Sequence, residues 1–134
     1  MRKILLVLCT LAFCLAAAAG SVWDGVYTPE QSSRGRTVYR EECAKCHGEN
    51  LMGGEAAPAL AGKDFLKGWN GRSVAELLEV TTKTMPSDDP GNLSRRQYVD
   101  IVAWILNSNE FPAGSKALEN TPALKEIRIE EKKQ

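Results

Sequence analysis

The clearest hydrophobic pattern of the chain lies in residues 93–108, which read LSRRQYVDIVAWILNS. Apolar side chains recur there at the spacing that places them on one face of a helix. Ser94 and Gln97 form a capping box at its start, and Leu93 is placed to pack on Tyr98 as a hydrophobic staple. The pattern therefore predicts a helix with one apolar stripe facing a core. The stripe consists of Tyr98, Ile101, Val102, Ile105 and Leu106.

An earlier helix is predicted over residues 29–44. Thr28 is a suitable N-cap, the residue after it is a proline, which suits the first helical position, and Gln31 completes a capping box. Gly35 and Tyr39 lie four residues apart on one face of this helix. Because glycine has no side chain, a second helix can approach closely at Gly35 while Tyr39 packs beside it. We expect the apolar stripe of the last helix to cross here.

The remaining chain predicts one more helix and two irregular segments. Ser73 is an N-cap with Glu76 at the capping-box position, and the helix that follows has to end before Pro86. Residues 48–62 are rich in Gly, Ala and Pro, which indicates irregular backbone. Residues 111–134 carry scattered apolar residues and a terminal charge run, typical of an extension over the surface with a frayed end. Since no stretch alternates convincingly as a strand would, the expected fold class is all-α.

Residues 1–19 have the layout of a secretory signal peptide. Arg2 and Lys3 precede an uncharged apolar run, and Ala17–Ala19 form a small-residue cleavage site. We predict cleavage after Ala19, which would place the mature protein in the periplasm. An uncleaved membrane anchor is the alternative, although the run is short for a bilayer span of roughly 20 residues. A lipoprotein is less favoured, because neither cysteine of this segment follows a small residue.

Removal of the signal segment changes both the charge and the cysteine count. It leaves 15 basic and 17 acidic side chains with no basic block, so nucleic acid is not an expected partner. Of the four cysteines, only Cys43 and Cys46 remain. The length leaves room for one domain. We assign residues 20–27 to a lead-in, residues 28–110 to that domain and residues 111–134 to a C-terminal extension.

Cys43 and Cys46 belong to the stretch CAKCH, and three ordinary roles for such a pair fit poorly. A disulfide within this stretch would close a very small loop and add little stability, since the entropic gain grows with loop length. A redox dithiol would be expected where a helix begins, because the helix N-terminus lowers the thiol pKa, whereas this pair ends a predicted helix. A structural zinc site needs four ligands, and the mature chain holds two cysteines and one histidine.

Covalent haem attachment is the interpretation that fits, because Cys-x-x-Cys-His is its signature. Two thiols at this spacing on a helix end can each form a thioether with one of the two vinyl groups of haem. The adjacent His47 can then offer its imidazole to the iron from the same side. Haem c is attached outside the cytoplasm, which agrees with the export signal. We therefore predict one haem c bound through Cys43 and Cys46, with His47 as an iron ligand.

A second iron ligand would have to be a methionine, since the mature chain has no second histidine. Met52 follows His47 by five residues and can hardly reach the other face of the haem. Met85 comes after a predicted helix, and Pro86 stiffens the loop that would present its sulfur. Core packing is the ordinary use of methionine, but this placement favours Met85 as the ligand. A His/Met pair raises the reduction potential and leaves no open iron position, which indicates electron transfer.

Together these features resemble a class I cytochrome c over residues 28–110. The resemblance rests on CAKCH, the later TMP, the Gly-x-x-x-Tyr helix and the YVDIVAWIL helix. The stretches VWDGVYTPEQSSRG, GGEAAPALAG, FLKGWNGRS and FPAG are further similar to cytochrome domains fused to, or partnered with, quinoprotein alcohol dehydrogenases. The resemblance implies a small all-α fold of three or more helices wrapped around one haem.

The resemblance also implies roles for five further residues. The carbonyl of Pro58 would accept a hydrogen bond from the imidazole of the iron-binding histidine, and Leu60 would line the haem face. Phe65 and Trp69 would cover the haem edge, and Trp69 or Arg72 would bond a haem propionate. Core packing is the alternative for the aromatic residues, and stiffening of the loop is the alternative for Pro58.

The expected function is that of a periplasmic single-haem electron carrier, which is not itself an enzyme. Its partners would be a dehydrogenase upstream, with the quinoprotein type as a candidate, and another cytochrome or a terminal oxidase downstream. One alternative is a non-diffusing subunit that docks onto a quinoprotein dehydrogenase through residues 111–134. Another is a haem enzyme or gas sensor with an open iron position. No membrane anchor is expected after signal cleavage.

Overall fold

The structure is a computed structural model that describes residues 20–132. Its helices are α1 (Pro29–Glu42), α2 (Ala44–His47), α3 (Gly62–Trp69), α4 (Val74–Thr84) and α5 (Arg95–Ser108). The two-residue strands β1 (Gly20–Ser21) and β2 (Ile127–Arg128) pair in parallel, and short 3₁₀ turns span Val22–Asp24 and Pro122–Glu126. The helical fold class is confirmed. The predicted signal segment, residues 1–19, lies outside the described residues.

Two predicted helix starts are formed as capping boxes. The hydroxyl of Ser73 accepts a hydrogen bond from the N–H of Glu76, whose carboxylate accepts one from the N–H of Ser73. Ser94 and Gln97 make the same reciprocal pair at the start of α5. Each pair satisfies two backbone N–H groups that the first turn of a helix leaves without partners. None of the helices described between residues 20 and 132 combines the length and apolar character needed to cross a membrane.

Helix α1 begins as predicted but ends earlier and caps differently. The hydroxyl of Thr28 accepts a hydrogen bond from the N–H of Gln31 at 3.2 Å. The side chain of Gln31 does not complete the expected capping box, because it bonds instead to both backbone groups of Leu118, at 2.8 and 2.7 Å. The helix ends at Glu42 rather than Ala44, and a separate turn, α2, follows Cys43. Gln31 thus makes a long-range contact that the local sequence pattern does not contain.

Helices α1 and α5 cross at Gly35, as predicted. A Cβ atom at this position would lie 1.8 Å from the carbonyl oxygen of Asp100 and 3.0 Å from the Cβ of Trp104. No side chain fits there, so glycine is required for the close approach of the two helices. Tyr39 packs beside the crossing and is 1% exposed. The crossing packs α5 closely against α1.

The segment after α5 is part of the core, so its interpretation as an extension over the surface is wrong. Leu118, Leu124 and Ile129 are only 4%, 3% and 0% exposed. They belong to one hydrophobic cluster together with Val22 and Tyr27 of the lead-in. The strand pair β1–β2 joins the two ends of the described chain, with Gly20 opposite Ile127. The scattered apolar residues of this segment are therefore core contacts supplied from distant sequence.

Candidate functional site

An apolar cavity of about 340 Å³ is lined by residues from α2, α3, α4 and α5 and from the loop before α3. It brings together eight of the nine predicted site residues and leaves out Arg72. Those eight are Cys43, Cys46, His47, Pro58, Leu60, Phe65, Trp69 and Met85. Apolar residues that the sequence did not single out as site residues complete the walls, among them Leu77, Val80, Ile101 and Ile105.

The two cysteines lie where α1 passes into α2. The N–H of Cys43 donates to the carbonyl of Tyr39 at 2.8 Å, and its own carbonyl accepts from the N–H of His47 at 3.0 Å. Both thiols are free and partly buried. Burial, with smaller contributions from Glu42 and Cys46, raises the pKa of Cys43 to about 11. A thiol that stays protonated is a poor nucleophile, so this environment does not favour a redox dithiol.

The imidazole of His47 is oriented by the backbone. The side chain is 5% exposed, and its Nδ1 lies 2.8 Å from the carbonyl oxygen of Pro58. Because a carbonyl can only accept, Nδ1 carries the proton and donates, which leaves the lone pair of Nε2 free to bind a metal. This is the hydrogen bond that the resemblance implied.

Gly53 shapes the loop that carries Pro58. Its φ is +70°, and a Cβ atom there would lie 2.6 Å from the carbonyl carbon of Pro58 and from the nitrogen of Ala59. Its N–H donates to the carbonyl of His47 at 2.8 Å. Glycine is therefore needed both for the left-handed backbone and for the close passage of the Pro58 loop. Leu60, further along, is held by a hydrogen bond from the side chain of Asn109 to its carbonyl at 2.9 Å.

Helix α3, which the sequence did not predict, presents two aromatic residues to the cavity. The rings of Phe65 and Trp69 are stacked with centroids 6.0 Å apart. Their spacing of four residues was an available signal for a helix. The guanidinium of Arg72 lies 4.0 Å from the centroid of the Trp69 ring, on a side chain that does not line the cavity. The roles of Trp69 and Arg72 toward a propionate stay predictions.

The structure separates the two candidate methionines. Met85 lines the cavity at the C-terminal end of α4, where its N–H donates to the carbonyl of Thr81 at 3.0 Å. Its own carbonyl accepts a hydrogen bond from the hydroxyl of Tyr98 at 2.7 Å, a contact that the sequence did not reveal. Met52 is 53% exposed and does not line the cavity.

One exposed ion pair joins the two sides of the cavity. The ammonium of Lys45, on α2, lies 2.7 Å from a carboxylate oxygen of Asp88, in the loop after Met85. The hydrogen bond from Lys45 lowers the pKa of Asp88. Such exposed pairs contribute little to stability. Within residues 20–132, no group of three or more His, Cys, Asp or Glu side chains is placed to hold a metal ion.

The donor set and the walls of the cavity fit a covalently attached haem. Two free thiols, an imidazole with an available Nε2 and a thioether all line one largely apolar space. These are the groups that bind haem through thioethers and axial bonds. The apolar walls suit a flat hydrophobic cofactor and would exclude water from it.

Comparisons with known proteins agree with this fit. Residues 30–105 match the family model described as cytochrome c oxidase, cbb3-type, subunit III. The cytochrome bc1 complex cytochrome c subunit of Corynebacterium efficiens is 30% identical over 99 residues, which are 70% of this chain and 31% of that protein. The thiosulfate dehydrogenase of Stutzerimonas stutzeri is 30% identical over 95 residues, which are 66% of this chain and 31% of that protein. The chain thus spans about a third of the length of these relatives.

A solved structure shares the fold. The sulfane dehydrogenase SoxCD from Paracoccus pantotrophus aligns with a TM-score of 0.54 at 23% identity. The alignment covers 66% of this chain and 53% of that chain. At this level of identity, the likeness concerns the fold alone.

Proposed function

Because the chain belongs to the cytochrome c family, which binds haem c covalently and transfers electrons, we propose that it is a periplasmic single-haem electron carrier. The observation that carries this proposal is one apolar cavity lined by Cys43, Cys46, His47 and Met85. Haem, when bound, supplies a one-electron redox change at its iron.

Four side chains would hold the haem at this cavity. Cys43 and Cys46 would attach it through thioethers. His47 would bind the iron through Nε2, since its Nδ1 is engaged by the carbonyl of Pro58, which also keeps the ring in one orientation. Met85 would supply the second axial ligand, and its soft thioether favours ferrous iron and a raised reduction potential.

The proposed ligand set favours a carrier over an enzyme. If His47 and Met85 both bound the iron, no position would remain open for oxygen or peroxide. Val80 lines the cavity and is 40% exposed, so the cavity extends to the surface beside α4, where a redox partner can approach. Encounters between electron carriers and their partners are usually small and transient.

The proposed partners are redox proteins of the respiratory chain. We place a dehydrogenase upstream, of the quinoprotein alcohol dehydrogenase type whose partner cytochrome domains the sequence resembles, and another cytochrome or a terminal oxidase downstream. The signal-peptide pattern of residues 1–19 supports export to the periplasm. The alternative of a bound subunit docked through residues 111–134 is less favoured, because Leu118, Leu124 and Ile129 are buried within the chain itself.

The proposal is tested by optical spectra of the exported, haem-loaded protein in its oxidised and reduced forms. A sulfur-to-iron charge-transfer band in the ferric protein reports methionine ligation. We expect the band in the wild type, its complete loss in Met85→Ala, and a lower reduction potential in that variant. Met52→Ala is the matched control, because Met52 lies outside the cavity lining, and it should keep the band.

A wild-type protein without the band whose reduced iron binds carbon monoxide would contradict the proposal. That result would indicate a haem enzyme or gas sensor with an open iron position. If the band is present in the wild type and survives in Met85→Ala, Met85 packs in the core and another side chain binds the iron.

A further inference from the structure

Tyr98 contacts the candidate iron ligand without lining the cavity. It lies on α5, is 2% exposed, and its hydroxyl donates to the carbonyl oxygen of Met85 at 2.7 Å. Tyr98 is not one of the described residues that line the cavity. Any effect of its hydroxyl on the site therefore acts through Met85.

The N–H of Met85 is bonded within α4 to the carbonyl of Thr81 at 3.0 Å, but its carbonyl has few contacts that could hold it. Helix α4 ends there, and Met85 itself is extended, with φ −125° and ψ 150°. The next residue, Pro86, has no N–H and cannot donate a hydrogen bond. The N–H of Gly91 reaches the carbonyl of Met85 only at 3.4 Å. The bond from Tyr98 is thus the shortest that this carbonyl accepts.

Tyr98 is itself held rigidly. Helix α5 is locked against α1 at Gly35, where the two backbones are too close for any side chain. The neighbouring residues Val99 and Asp100 are 5% and 3% exposed. The hydroxyl therefore connects Met85 to the helix that is packed closely against α1.

We propose that Tyr98 is a positioning residue for Met85, whose hydroxyl keeps the backbone at the end of α4 in place so that the thioether is not displaced by competing ligands. This inference rests on the proposed function, in which Met85 binds the haem iron. Loss of the hydroxyl would leave the Met85 carbonyl with only the long bond from Gly91, and an unsatisfied carbonyl favours movement of this segment.

The test is to titrate the ferric, haem-loaded Tyr98→Phe variant with imidazole. The sulfur-to-iron charge-transfer band is monitored as the signal for methionine ligation. The ring is retained, so the variant keeps its apolar packing. We expect imidazole to displace the methionine with a dissociation constant roughly tenfold lower than in the wild type. The matched control is Tyr27→Phe, because Tyr27 is also buried and its hydroxyl also donates to a backbone carbonyl, that of Phe111, away from the cavity lining.

The denaturant midpoint is measured for both variants alongside the titration. We expect the midpoint to fall in both, while imidazole affinity rises in Tyr98→Phe alone. Equal rises in both variants, or an unchanged affinity in Tyr98→Phe, would overturn the proposal for Tyr98. The proposed function would still stand in those cases, since it depends on the band being present in the wild type and lost in Met85→Ala.

Discussion

Two of the segments that line the cavity are held in place in different ways. In the His47 segment, residues 43–60, the contacts around His47 come from partners near in sequence: His47 bonds to Pro58 across 11 residues, and the hydroxyl of Tyr39 donates to the carbonyl of Gly48 across 9. Its end at Leu60 is bonded by the more distant Asn109. The Met85 segment, residues 62–86, depends on distant partners.

Besides Tyr98 on α5, the Met85 segment has distant partners near the end of the described chain. In the linker between α3 and α4, the N–H of Gly71 donates to the carbonyl of Ile129 at 2.7 Å, and the N–H of Ile129 donates to the carbonyl of Arg72 at 2.8 Å. The side chain of Asn70 accepts from the N–H of Glu131, 61 residues away. The C-terminal segment thus adds a strand-like edge to this linker.

Because their surroundings depend on near and on distant partners respectively, His47 and Met85 should respond differently to changes elsewhere in the chain. The entropic cost of closing a loop grows with its length, so contacts between distant residues depend more on the rest of the fold than local ones. We therefore expect changes in the C-terminal segment to disturb Met85 while His47 keeps its environment. Changes in the Pro58 loop should do the reverse.

The largest expected effect comes from removing the two thiols of the His47 segment together. Cys43→Ala with Cys46→Ala should abolish covalent haem, because no thioether can form. Each single substitution should weaken attachment, since one thiol remains. The measurement is haem staining of the denatured, exported proteins, and normal staining of the double variant would refute the attachment.

The next largest effect is expected from Ile129→Ala, which removes a fully buried side chain beside the linker of the Met85 segment. Truncation of a buried isoleucine lowers the free energy of unfolding by about 2–5 kcal/mol. We further expect imidazole to displace the methionine more readily, because the linker between α3 and α4 loses its support. Denaturant unfolding and the imidazole titration measure the two effects.

Leu118→Ala is the control for Ile129→Ala. Leu118 is similarly buried in the C-terminal segment, but its backbone bonds to Gln31 on α1 rather than to the linker. It should lose comparable stability with little change in imidazole affinity. If both variants respond alike in the titration, the Met85 segment does not depend specifically on the Ile129 contact.

The smallest loss of stability is expected from Gly53→Ala in the His47 segment. A side chain at its φ of +70° costs about 1–3 kcal/mol, and its Cβ would push against Pro58. A displaced Pro58 loop would weaken the hydrogen bond from Nδ1 of His47 to the carbonyl of Pro58. The imidazole would then donate less electron density to the iron, which favours ferrous iron and raises the reduction potential. Redox titration measures this rise, and the sulfur-to-iron band should persist.

Gly54→Ala is the neighbouring control, since a Cβ at Gly54 would meet nothing within 4 Å. We expect it to leave the reduction potential unchanged. Equal potentials in the wild type, Gly53→Ala and Gly54→Ala would mean that the Pro58 loop does not influence the iron through His47.

Predictions from sequence succeeded where the responsible interaction is local. Thr28, Ser73 and Ser94 each cap a helix through residues three positions away, so the starts of α1, α4 and α5 could be read directly. Gly35 was recognisable because a missing side chain on a helix face permits a close crossing. Helix α3 was missed, because it is short, has no side-chain cap, and directly follows a Gly-rich segment.

By itself, the sequence determined the haem attachment motif, the choice of His47 and Met85 as candidate iron ligands, and the starts of helices α1, α4 and α5. Those features depend on residue type and short spacing. Only the tertiary structure decided that the C-terminal segment completes the core, that Gln31 bonds to Leu118 rather than capping α1, and that Tyr98 contacts Met85. Such contacts join residues from distant parts of the chain, and no short-range pattern encodes which buried groups will meet once the helices have packed.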